Sequence, residues 1–420
     1  MNFIQCSKLS LILSILLLLG CSGTHKMSKG NQPLAGIRIT IDPGHGNTEA
    51  YDFFRIGPAG EREEWINLRV AKLLAKKLEA VGAEVLLTRT KDRDLSLGGR
   101  AALAKRHKSD LFISVHHNGS ENDPGIDIPI VYFYGDAATN PASVDFARIL
   151  LAEMKDNLHF EQVGDGAVHS DFLIYSSGTS ILRNTVDVMP GVIGEGGFFT
   201  NPSGENRLMD RSYNRLEAEV YYRAILAYFQ RGYPQAHFTL EDTLKYVVPG
   251  QVLNFELSDG LGGHDFVLNE FSALQDGEPL VVDWQDSTGI LSVMTVPADI
   301  HEIRIQLFAR NLRGNALHPK AFTFTTLSGD TWQSEELWSE AYEKASAIYA
   351  AIDTDTPALE QVDEALHLYR LSLELQPVHP KSRQAEEQIL ALLILKDTLV
   401  SDDPTEEIDA QRYRLSAFYP

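Results

Sequence analysis

Strand-like and helix-like segments alternate along residues 36–233, and this alternation constrains the fold more than any other feature of the chain. The segments "GIRITID" and "DLFISVH" have the apolar, β-branched composition of buried strands. The segment "EEWINLRVAKLLAKKLEAVG" repeats apolar residues at three- and four-residue steps, which predicts an amphipathic helix that ends at Gly82. Strands that alternate with helices in this way predict an α/β domain with a mostly parallel sheet and helices on both faces.

The sequence pattern changes after this domain. Residues 235–330 contain short strand-like segments separated by turns such as "SDGLGG" and "QDGEP", which predicts a small β-sandwich of the immunoglobulin-like kind. Residues 331–400 have helical periodicity, and the helix that carries Ala365 and Tyr369 before Pro377 resembles one tetratricopeptide-type hairpin. We expect the acidic segment 401–420 to be a loosely ordered tail.

The N-terminal segment has the features of an export signal. An apolar run from Leu9 to Gly20 is about as long as the core of a signal peptide and too short for a comfortable membrane span. The run ends in "LLGC", which resembles a bacterial lipobox, so we expect removal of residues 1–20 and lipidation of Cys21. Residues 21–35 then form a polar tether, and Ser22 after the cysteine favours an outer-membrane location. The alternative is an ordinary secretory signal in which Cys21 occurs by chance.

Composition limits the chemistry that remains for the mature chain. Cys6 and Cys21 are the only cysteines, so the body of the protein has neither disulfides nor a thiol nucleophile. Any metal site there must use His, Asp and Glu side chains. A formal net charge of −21 argues against nucleic-acid binding through a basic patch, and against an anionic membrane surface as a partner for the body.

Polar side chains stand at the ends of three predicted strands of the first domain. His45 follows the strand "ITID", His116 ends "LFISVH", and Glu195 ends "GVIGE". Ligands of open α/β sheets bind beyond the carboxyl ends of the strands, so these side chains are expected to meet at one edge. The segment "EREEW", from Glu61 to Trp65, begins the first long helix and returns further carboxylates to the same edge.

This set of side chains suits a catalytic metal centre. Two imidazoles and one carboxylate, with one position left for water, form a typical ligand set of catalytic zinc. Such a zinc ion lowers the pKa of its water and polarises a carbonyl group. A further carboxylate outside the ligand set can accept the proton of the water and pass it to a leaving amine.

Each of these residues also has a structural explanation. His45 could serve only the turn, and acidic residues such as Glu63 and Glu64 at a helix start are stabilised by the helix dipole. His116 and the histidine after it point to opposite faces of a strand, so at most one of them binds a given metal. Glu195 is harder to explain structurally, because it follows an apolar run and precedes two glycines.

Five motifs occur in order along this domain: "IDPGHG", "EREEWINL", "LLTRTKD", "DLFISVHHN" and "EGGFFTN". Together they resemble the zinc-dependent N-acetylmuramoyl-L-alanine amidases of the amidase 3 type, over residues 36–233. The resemblance implies a single α/β domain with a mainly parallel sheet. It also implies hydrolysis, by zinc-activated water, of the amide between the lactyl group of muramic acid and L-alanine of the peptidoglycan stem peptide.

The resemblance assigns roles residue by residue. It implies that His45, Glu63 and His116 bind zinc. It implies that Glu195 is the catalytic acid and base. The family has lysine after the ligand glutamate, whereas this chain has Glu64, so the choice between Glu63 and Glu64 as the ligand stays open.

Other positions have supporting roles in this scheme. Asp42 is expected to orient a ligand imidazole, as carboxylates near zinc histidines often do. Arg100 matches an arginine common in the family, and we expect it to form a salt bridge, with a contact at the edge of the substrate as the alternative. Asn118 is a further candidate for a supporting or substrate-contacting residue. His117 stands where the family has a small residue.

Two other functions are weighed against the amidase. A catalytically inactive wall-binding or scaffold module would be marked by the loss of Glu195 or a ligand, and all of these residues are present. Another zinc hydrolase, such as a carboxypeptidase, ranks lower because the chain has no HExxH motif. For the amidase we expect zinc as cofactor, peptidoglycan as substrate, and a lipid-anchored position in the periplasm. The β-sandwich and the helical segment are then candidates for docking a protein partner.

Overall fold

The structure is a computed structural model, and it describes residues 32–47, 55–160, 166–239, 246–247, 251–296, 302–326, 335–353, 356–375, 379–399 and 405–418. The expected signal peptide, Cys21 and most of the expected tether lie outside these residues. Across the described part of the chain, no helix combines the length and the apolarity that a membrane crossing requires.

The first domain alternates strands and helices, as the sequence predicts. Its elements are β1 (Arg38–Pro43), α1 (Glu63–Glu79), β2 (Glu84–Leu87), α2 (Leu97–His107), β3 (Leu111–Asn118), β4 (Ile130–Phe133), α3 (Pro141–Asn157), β5 (Ala167–Ser170), α4 (Ser180–Arg183), β6 (Gly191–Phe198), α5 (Pro202–Met209) and α6 (Arg211–Gln230). Sequence reasoning missed β5, α4 and α5, because segments this short carry too little periodicity to be recognised.

Within the described residues, the sheet of this domain has six strands in the order β2-β1-β3-β6-β4-β5. Strands β2, β1, β3 and β6 are parallel, whereas β4 is antiparallel to β6 and parallel to β5. The prediction of a mostly parallel sheet flanked by helices is therefore confirmed. Because β1, β3 and β6 are neighbours that run in one direction, their carboxyl ends lie side by side.

The two faces of the sheet have different environments. One face packs against α1, α3 and α6 through residues such as Ile41, Val115 and Val192. Full burial of an aliphatic side chain of this size stabilises the fold by about 1.5–3 kcal/mol. The opposite face packs against α2 and α4 through Phe112 and Ile193. Side chains alternate between the faces, so the carboxyl ends of these strands present polar residues to both sides.

The second domain is a sandwich of two mainly antiparallel sheets. Its strands are β7 (Gln235–Phe238), β8 (Tyr246–Val247), β9 (Val252–Ser258), β10 (Ser272–Gln275), β11 (Glu278–Pro279), β12 (Val282–Gln285), β13 (Ile290–Met294), β14 (Glu302–Phe308) and β15 (Ala321–Thr326). In the described residues the strand orders are β11-β10-β14-β15-β8 and β12-β13-β9-β7. Alternate residues of β9 and β14, such as Phe255 and Ile305, point into one shared apolar core.

The sandwich is joined to the first domain at the C-terminal end of α6. Nδ2 of Asn315 donates to the carbonyl oxygens of Tyr228 and Gly232, both at 2.7 Å. Arg310 forms an ion pair with Asp145 near the start of α3, with Nη1 and Oδ2 2.7 Å apart. Strand β4 is antiparallel to β6, so the start of α3, which follows β4, lies at the amino ends of β1, β3 and β6. The contact with Asp145 is therefore at the end of the sheet opposite its carboxyl edge.

Four helices follow: α7 (Glu335–Ala351), α8 (Leu359–Leu375), α9 (Ser382–Asp397) and α10 (Thr405–Phe418). They share an apolar core that includes Ala365 and Tyr369. The expectation of a loosely ordered tail is wrong for the segment that forms α10. Ile408 of α10 enters this core, and Nε2 of Gln411 donates to the carbonyl of Glu386 on α9 at 3.0 Å. The tail therefore packs as a helix because one face of it has partners on α9.

Candidate metal centre and active site

The loop after β1 carries His45 to the carboxyl edge of the sheet. His45 has a φ of 58°, a left-handed conformation that non-glycine residues rarely adopt and that concentrates at functional sites. Gly44 must be glycine here, because an added Cβ would lie 2.2 Å from Cε1 of His116. The close approach brings the rings of His45 and His116 together, with their centroids 4.7 Å apart.

Two buried arginines hold this loop in place. Arg89 donates to the carbonyl oxygens of Gly44 at 2.7 Å and of Glu64 at 2.8 Å. Arg100 donates to the carbonyl oxygen of His45 at 2.5 Å. Burial, followed by the charge of Arg100, lowers the pKa of Arg89 to about 10. These charge-assisted bonds tie the histidine loop to the start of α1.

Asp42 supports the loop through Arg100 rather than through an imidazole, which corrects the expectation from the sequence. Its Oδ1 accepts from Arg100 at 2.8 Å and from the hydroxyl of Thr88. Its Oδ2 accepts from the hydroxyl of Ser114 at 2.7 Å. Both oxygens are therefore engaged by donors other than histidine. Asp42 acts on His45 indirectly, by fixing the guanidinium that holds its carbonyl.

The carboxylate of Glu63, at the start of α1, lies between the two imidazoles. Its Oε2 is 2.9 Å from Nε2 of His45, and its Oε1 is 3.1 Å from Nδ1 of His116. One candidate ligand atom from each residue lies within 4.8 Å of the others. Burial by itself raises the pKa of Glu63, but the two histidines outweigh it and hold the pKa well below its usual value. The carboxylate is therefore ionised and able to act as a ligand.

Glu64, the alternative to Glu63, points elsewhere. Its side chain is fully buried and pairs with the guanidinium of Arg62. In the described part of the chain, the His45, Glu63 and His116 group is the one whose geometry could hold a metal ion. The structure thus brings Glu63, and not Glu64, to the imidazoles.

Strand β6 carries Glu195 to the same edge, where it lies opposite His116 in the register with β3. Its Oε2 is buried and has no hydrogen-bond partner among the described residues. Burial and then the charge of Glu63 raise the pKa of Glu195 to about 7, against the opposing charges of His116 and His117. A carboxyl group that titrates near neutral pH can both accept and return a proton.

A cleft of about 360 Å³ opens beside the two imidazoles. Its lining includes His45 and His116, with Leu97 and Tyr175 among the apolar residues. Leu97 is 49% exposed and Tyr175 is 63% exposed, so the rim offers apolar surface next to the polar centre. The Tyr175 loop is anchored by the buried Asp171, whose Oδ2 accepts from the backbone N–H and the hydroxyl of a threonine eight residues later.

The remaining sequence candidates lie behind or beside this centre. Oδ1 of Asn118 accepts from the backbone N–H of Gly119 at 2.8 Å. His117 points to the face that packs on α1 and α6, and it is 2% exposed. Sequence reasoning did not single out Arg89 or Asn67. The available signals were that Arg89 closely follows β2 in "LLTR" and that Asn67 lies one helical turn after Glu63.

Known proteins resemble the same part of the chain. A model of the N-acetylmuramoyl-L-alanine amidase family matches residues 39–227. These residues, somewhat less than half of the chain, are similar to this amidase family. The amidase domain therefore coincides with the α/β domain, and the matched residues end before β7.

Individual relatives of the amidase domain cover about half of this chain. YqiI of Bacillus subtilis, described as uncharacterized, is 28% identical over 205 residues, which are 48% of this chain and 88% of YqiI. The N-acetylmuramoyl-L-alanine amidase LytC of Bacillus subtilis is 29% identical over 198 residues, which are 47% of this chain but only 36% of LytC. A solved structure, the amidase AmiC2 of Nostoc punctiforme, is 28% identical with a TM-score of 0.40, covering 48% of this chain and 99% of AmiC2.

The amidase family acts on peptidoglycan, and its name states the bond that it cleaves. The amidase domain is accordingly a hydrolase for the amide between N-acetylmuramic acid and L-alanine. Glu195 and the His45, Glu63 and His116 group are the side chains that the fold gathers where such a reaction could take place.

Proposed function

We propose that this protein is a zinc-dependent N-acetylmuramoyl-L-alanine amidase that works in the cell envelope. The observation that carries the proposal is the convergence of two imidazoles and an ionised carboxylate beside a buried carboxyl group. His45, Glu63 and His116 are proposed as the metal ligands, and Glu195 as the catalytic acid and base. The family match over residues 39–227 supports the reaction class independently of this geometry.

The donor set fits zinc. Two imidazole nitrogens and one carboxylate oxygen suit a catalytic zinc ion, whereas calcium and magnesium prefer sets made of oxygen ligands. The carboxylate of Glu63 is ionised because the two histidines lower its pKa, as a ligand requires. When bound, zinc would polarise the scissile carbonyl and acidify a water molecule.

Glu195 transfers a proton from the attacking water to the leaving nitrogen. Its unpartnered Oε2 accepts a proton from the attacking water as the oxygen adds to the lactyl carbonyl carbon. The same carboxyl group donates that proton to the nitrogen of L-alanine as the carbon–nitrogen bond breaks. The products are a free lactyl carboxylate and a stem peptide with a free amino group.

The cleft supplies the surface against which the substrate is oriented. Leu97 and Tyr175 provide exposed apolar surface on a rim that also contains the two imidazoles. Sugar faces and alanine methyl groups are the apolar parts of peptidoglycan that such surface can contact. The anchored loop of Tyr175 presents its ring without a large loss of entropy on binding.

The location follows from the N-terminal sequence and the substrate. We infer that Cys21 anchors the protein by a lipid to the periplasmic side of the outer membrane, which is supported by the "LLGC" motif and by Ser22. Peptidoglycan is then within reach of the tether at residues 21–35. Among the described residues, the cleft is lined by the α/β domain alone, and we propose that the β-sandwich and the four-helix segment are available to dock a protein partner.

Digestion of purified peptidoglycan tests the proposed reaction directly. The full-length protein is incubated with sacculi, with and without a chelator, and the soluble products are identified by mass spectrometry. Release of intact stem peptides that begin with a free L-alanine amine, lost with the chelator and restored by zinc, is the expected result. Release of disaccharides or of shortened peptides would reject the proposal.

An inactive wall-binding module is not favoured. Such a module would have no reason to keep a buried, unpartnered carboxyl group at Glu195, because burying it without a partner is unfavourable. Binding of sacculi without any release of peptide, with zinc present, is the result that would support that alternative.

A further inference from the structure

A chain of buried polar side chains links α6 to Glu63 from behind the cleft. Oε1 of Glu63 accepts from Nδ2 of Asn67 at 3.0 Å and from the backbone N–H of His117 at 3.2 Å. Oδ1 of Asn67 lies 2.8 Å from Nδ1 of His117. Nε2 of His117 lies 3.0 Å from Oε1 of Glu217. The contacts run without a gap from α6, through β3, to the first turn of α1.

The direction of the hydrogen bonds along this series of side chains follows from the contacts that Asn67 makes near Glu63. Asn67 donates through Nδ2 to Glu63 and, at 3.3 Å, to the carbonyl oxygen of Gly44, so its Oδ1 faces His117. An amide oxygen can only accept, and Nδ1 of His117 must therefore carry a hydrogen. The other ring nitrogen, Nε2, lies 3.0 Å from Oε1 of Glu217.

Burying polar side chains whose hydrogen bonds are incomplete is energetically unfavourable, so the burial of His117 and Glu217 needs an explanation. The side chains of His117 and Glu217 are both 0% exposed. Among the described residues, neither oxygen of Glu217 has a conventional hydrogen-bond partner, so the contact with His117 is its main compensation. The neighbouring backbone also accommodates Glu217. A Cβ at Gly196 would lie 2.4 Å from Oε1 of Glu217, so glycine fits there without a clash. Apolar residues would usually stabilise such a position at least as well as a buried ion pair.

We propose that His117 and Glu217 are positioning residues for the metal ligand Glu63 and act on it through Asn67. The chain holds Oε1 of Glu63 and so sets the rotamer in which Oε2 faces His45. This inference rests on the proposed metal centre. It goes beyond the resemblance to the amidases, which implies a small residue at position 117 and assigns no role to Glu217.

Zinc affinity is the quantity that this chain should control. Ligands whose supporting hydrogen bonds are removed typically bind metal about 10–100-fold more weakly. We expect His117→Ala and Glu217→Ala to weaken zinc binding by about this factor, as measured by competition with a chromophoric chelator on the full-length protein. The visible absorption spectrum of the cobalt-loaded variants should change as well, because the carboxylate ligand is free to rotate.

Two variants separate positioning from a loss of packing. Glu217→Gln keeps the shape and can donate an amide hydrogen to Nε2 of His117, so it should stay within about threefold of the wild-type zinc affinity. Ile225→Ala opens a cavity on the same helix, two turns further along, and should lower the unfolding midpoint without changing zinc affinity. If an alanine variant does not fold, His117→Gln replaces it, since one amide group cannot reach both partners of the imidazole.

The possible outcomes distinguish this inference from the proposed function. Zinc affinities of His117→Ala and Glu217→Ala no weaker than that of Ile225→Ala, with unchanged cobalt spectra, would overturn the positioning role. A wild-type protein that binds no zinc would overturn it too. If the wild type binds zinc and the variants rank as expected, but peptidoglycan is not cleaved, the positioning role is supported and only the proposed reaction is rejected.

Discussion

The two ends of the amidase domain both bury carboxyl groups, yet they use them differently. At the end that faces the β-sandwich, Oδ2 of Asp145 accepts from Arg310 at 2.7 Å and from the backbone N–H of Ala316 at 2.9 Å. At the opposite end, Oε2 of Glu195 is buried without a hydrogen-bond partner among the described residues. Buried polar groups are nearly always paired, so the unpaired oxygen of Glu195, which lies beside the proposed metal ligand His116, is available to a reacting molecule.

The same contrast holds for the surfaces around these carboxyl groups. Asp145 lies under the sandwich, where Arg310 and Asn315 fasten one domain to the other. Glu195 lies opposite His116, and His116 lines an open cleft that has Tyr175 on its rim. The Asp145 end therefore holds the two domains together, whereas the Glu195 end is open to a substrate.

Replacement of Glu195 should produce the largest effect on activity. Glu195→Gln keeps the shape of the side chain but cannot accept a proton, and general acid–base catalysis typically contributes about 10²–10⁴-fold in rate. We expect kcat on purified peptidoglycan to fall by about that factor while zinc content, measured by atomic emission, stays at the wild-type level. Asp145→Asn is the matched control and should leave kcat unchanged. Near wild-type turnover of Glu195→Gln would remove it from the mechanism.

Replacement of Asp145 should have the opposite profile. Asp145→Ala removes charge-assisted hydrogen bonds to Arg310 and to a backbone N–H, and we expect the free energy of unfolding to fall by about 2 kcal/mol. Urea titration followed by fluorescence measures this loss. The kcat of the folded variant should equal that of the wild type, and a drop in kcat with unchanged stability would contradict the division between the two ends.

The pH dependence of kcat/KM should reflect the titration of Glu195 and not that of Asp145. The pKa of Glu195 is about 7, because burial and the charge of Glu63 raise it. The ionised form is the base, so kcat/KM should fall tenfold for each pH unit below the pKa of Glu195 in the active enzyme. A bound dication lowers that pKa, which places the acidic limb at or below pH 7. Initial rates measured between about pH 5 and pH 9, a range that includes this pKa, check the expectation. A rate that increases as the pH falls would contradict it.

Replacement of Tyr175 should have the smallest effect. Tyr175→Ala removes exposed apolar surface from the rim of the cleft, which is worth about 1 kcal/mol, or about fivefold, in substrate binding. We expect KM to rise by about that factor with kcat unchanged, measured on soluble muropeptides. Leu312→Ala, an exposed apolar residue of the sandwich domain, is the control and should change neither constant.

Much of the catalytic edge could be predicted from sequence because its residues lie where strands end. The motifs around His45, His116 and Glu195 follow recognisable strands, and the parallel order of β1, β3 and β6 brings those strand ends together. The sequence left open whether Glu63 or Glu64 is the candidate ligand. The side-chain contacts distinguish them, because Glu64 pairs with Arg62 whereas Glu63 reaches the imidazoles.

The supporting residues could not be predicted because they depend on contacts between distant segments. Glu217 lies in the middle of α6, a hundred positions after His117, and nothing in the local pattern of that helix indicates a buried acid. The same holds for Asp42, whose partners are Thr88, which follows β2, and Ser114 in β3. Helix α10 was missed for a related reason, since its acidic composition conceals the apolar face that packs on α9.

We propose that the open end of the domain holds a zinc ion between His45, Glu63 and His116. Anomalous diffraction from zinc-loaded crystals of the full-length protein, collected at the zinc absorption edge, tests it most directly. We expect one strong peak about 2.0–2.2 Å from a nitrogen of each imidazole and from a carboxylate oxygen of Glu63. A strongest peak at Glu64 or elsewhere in the molecule, with these three side chains still in direct contact, would contradict it.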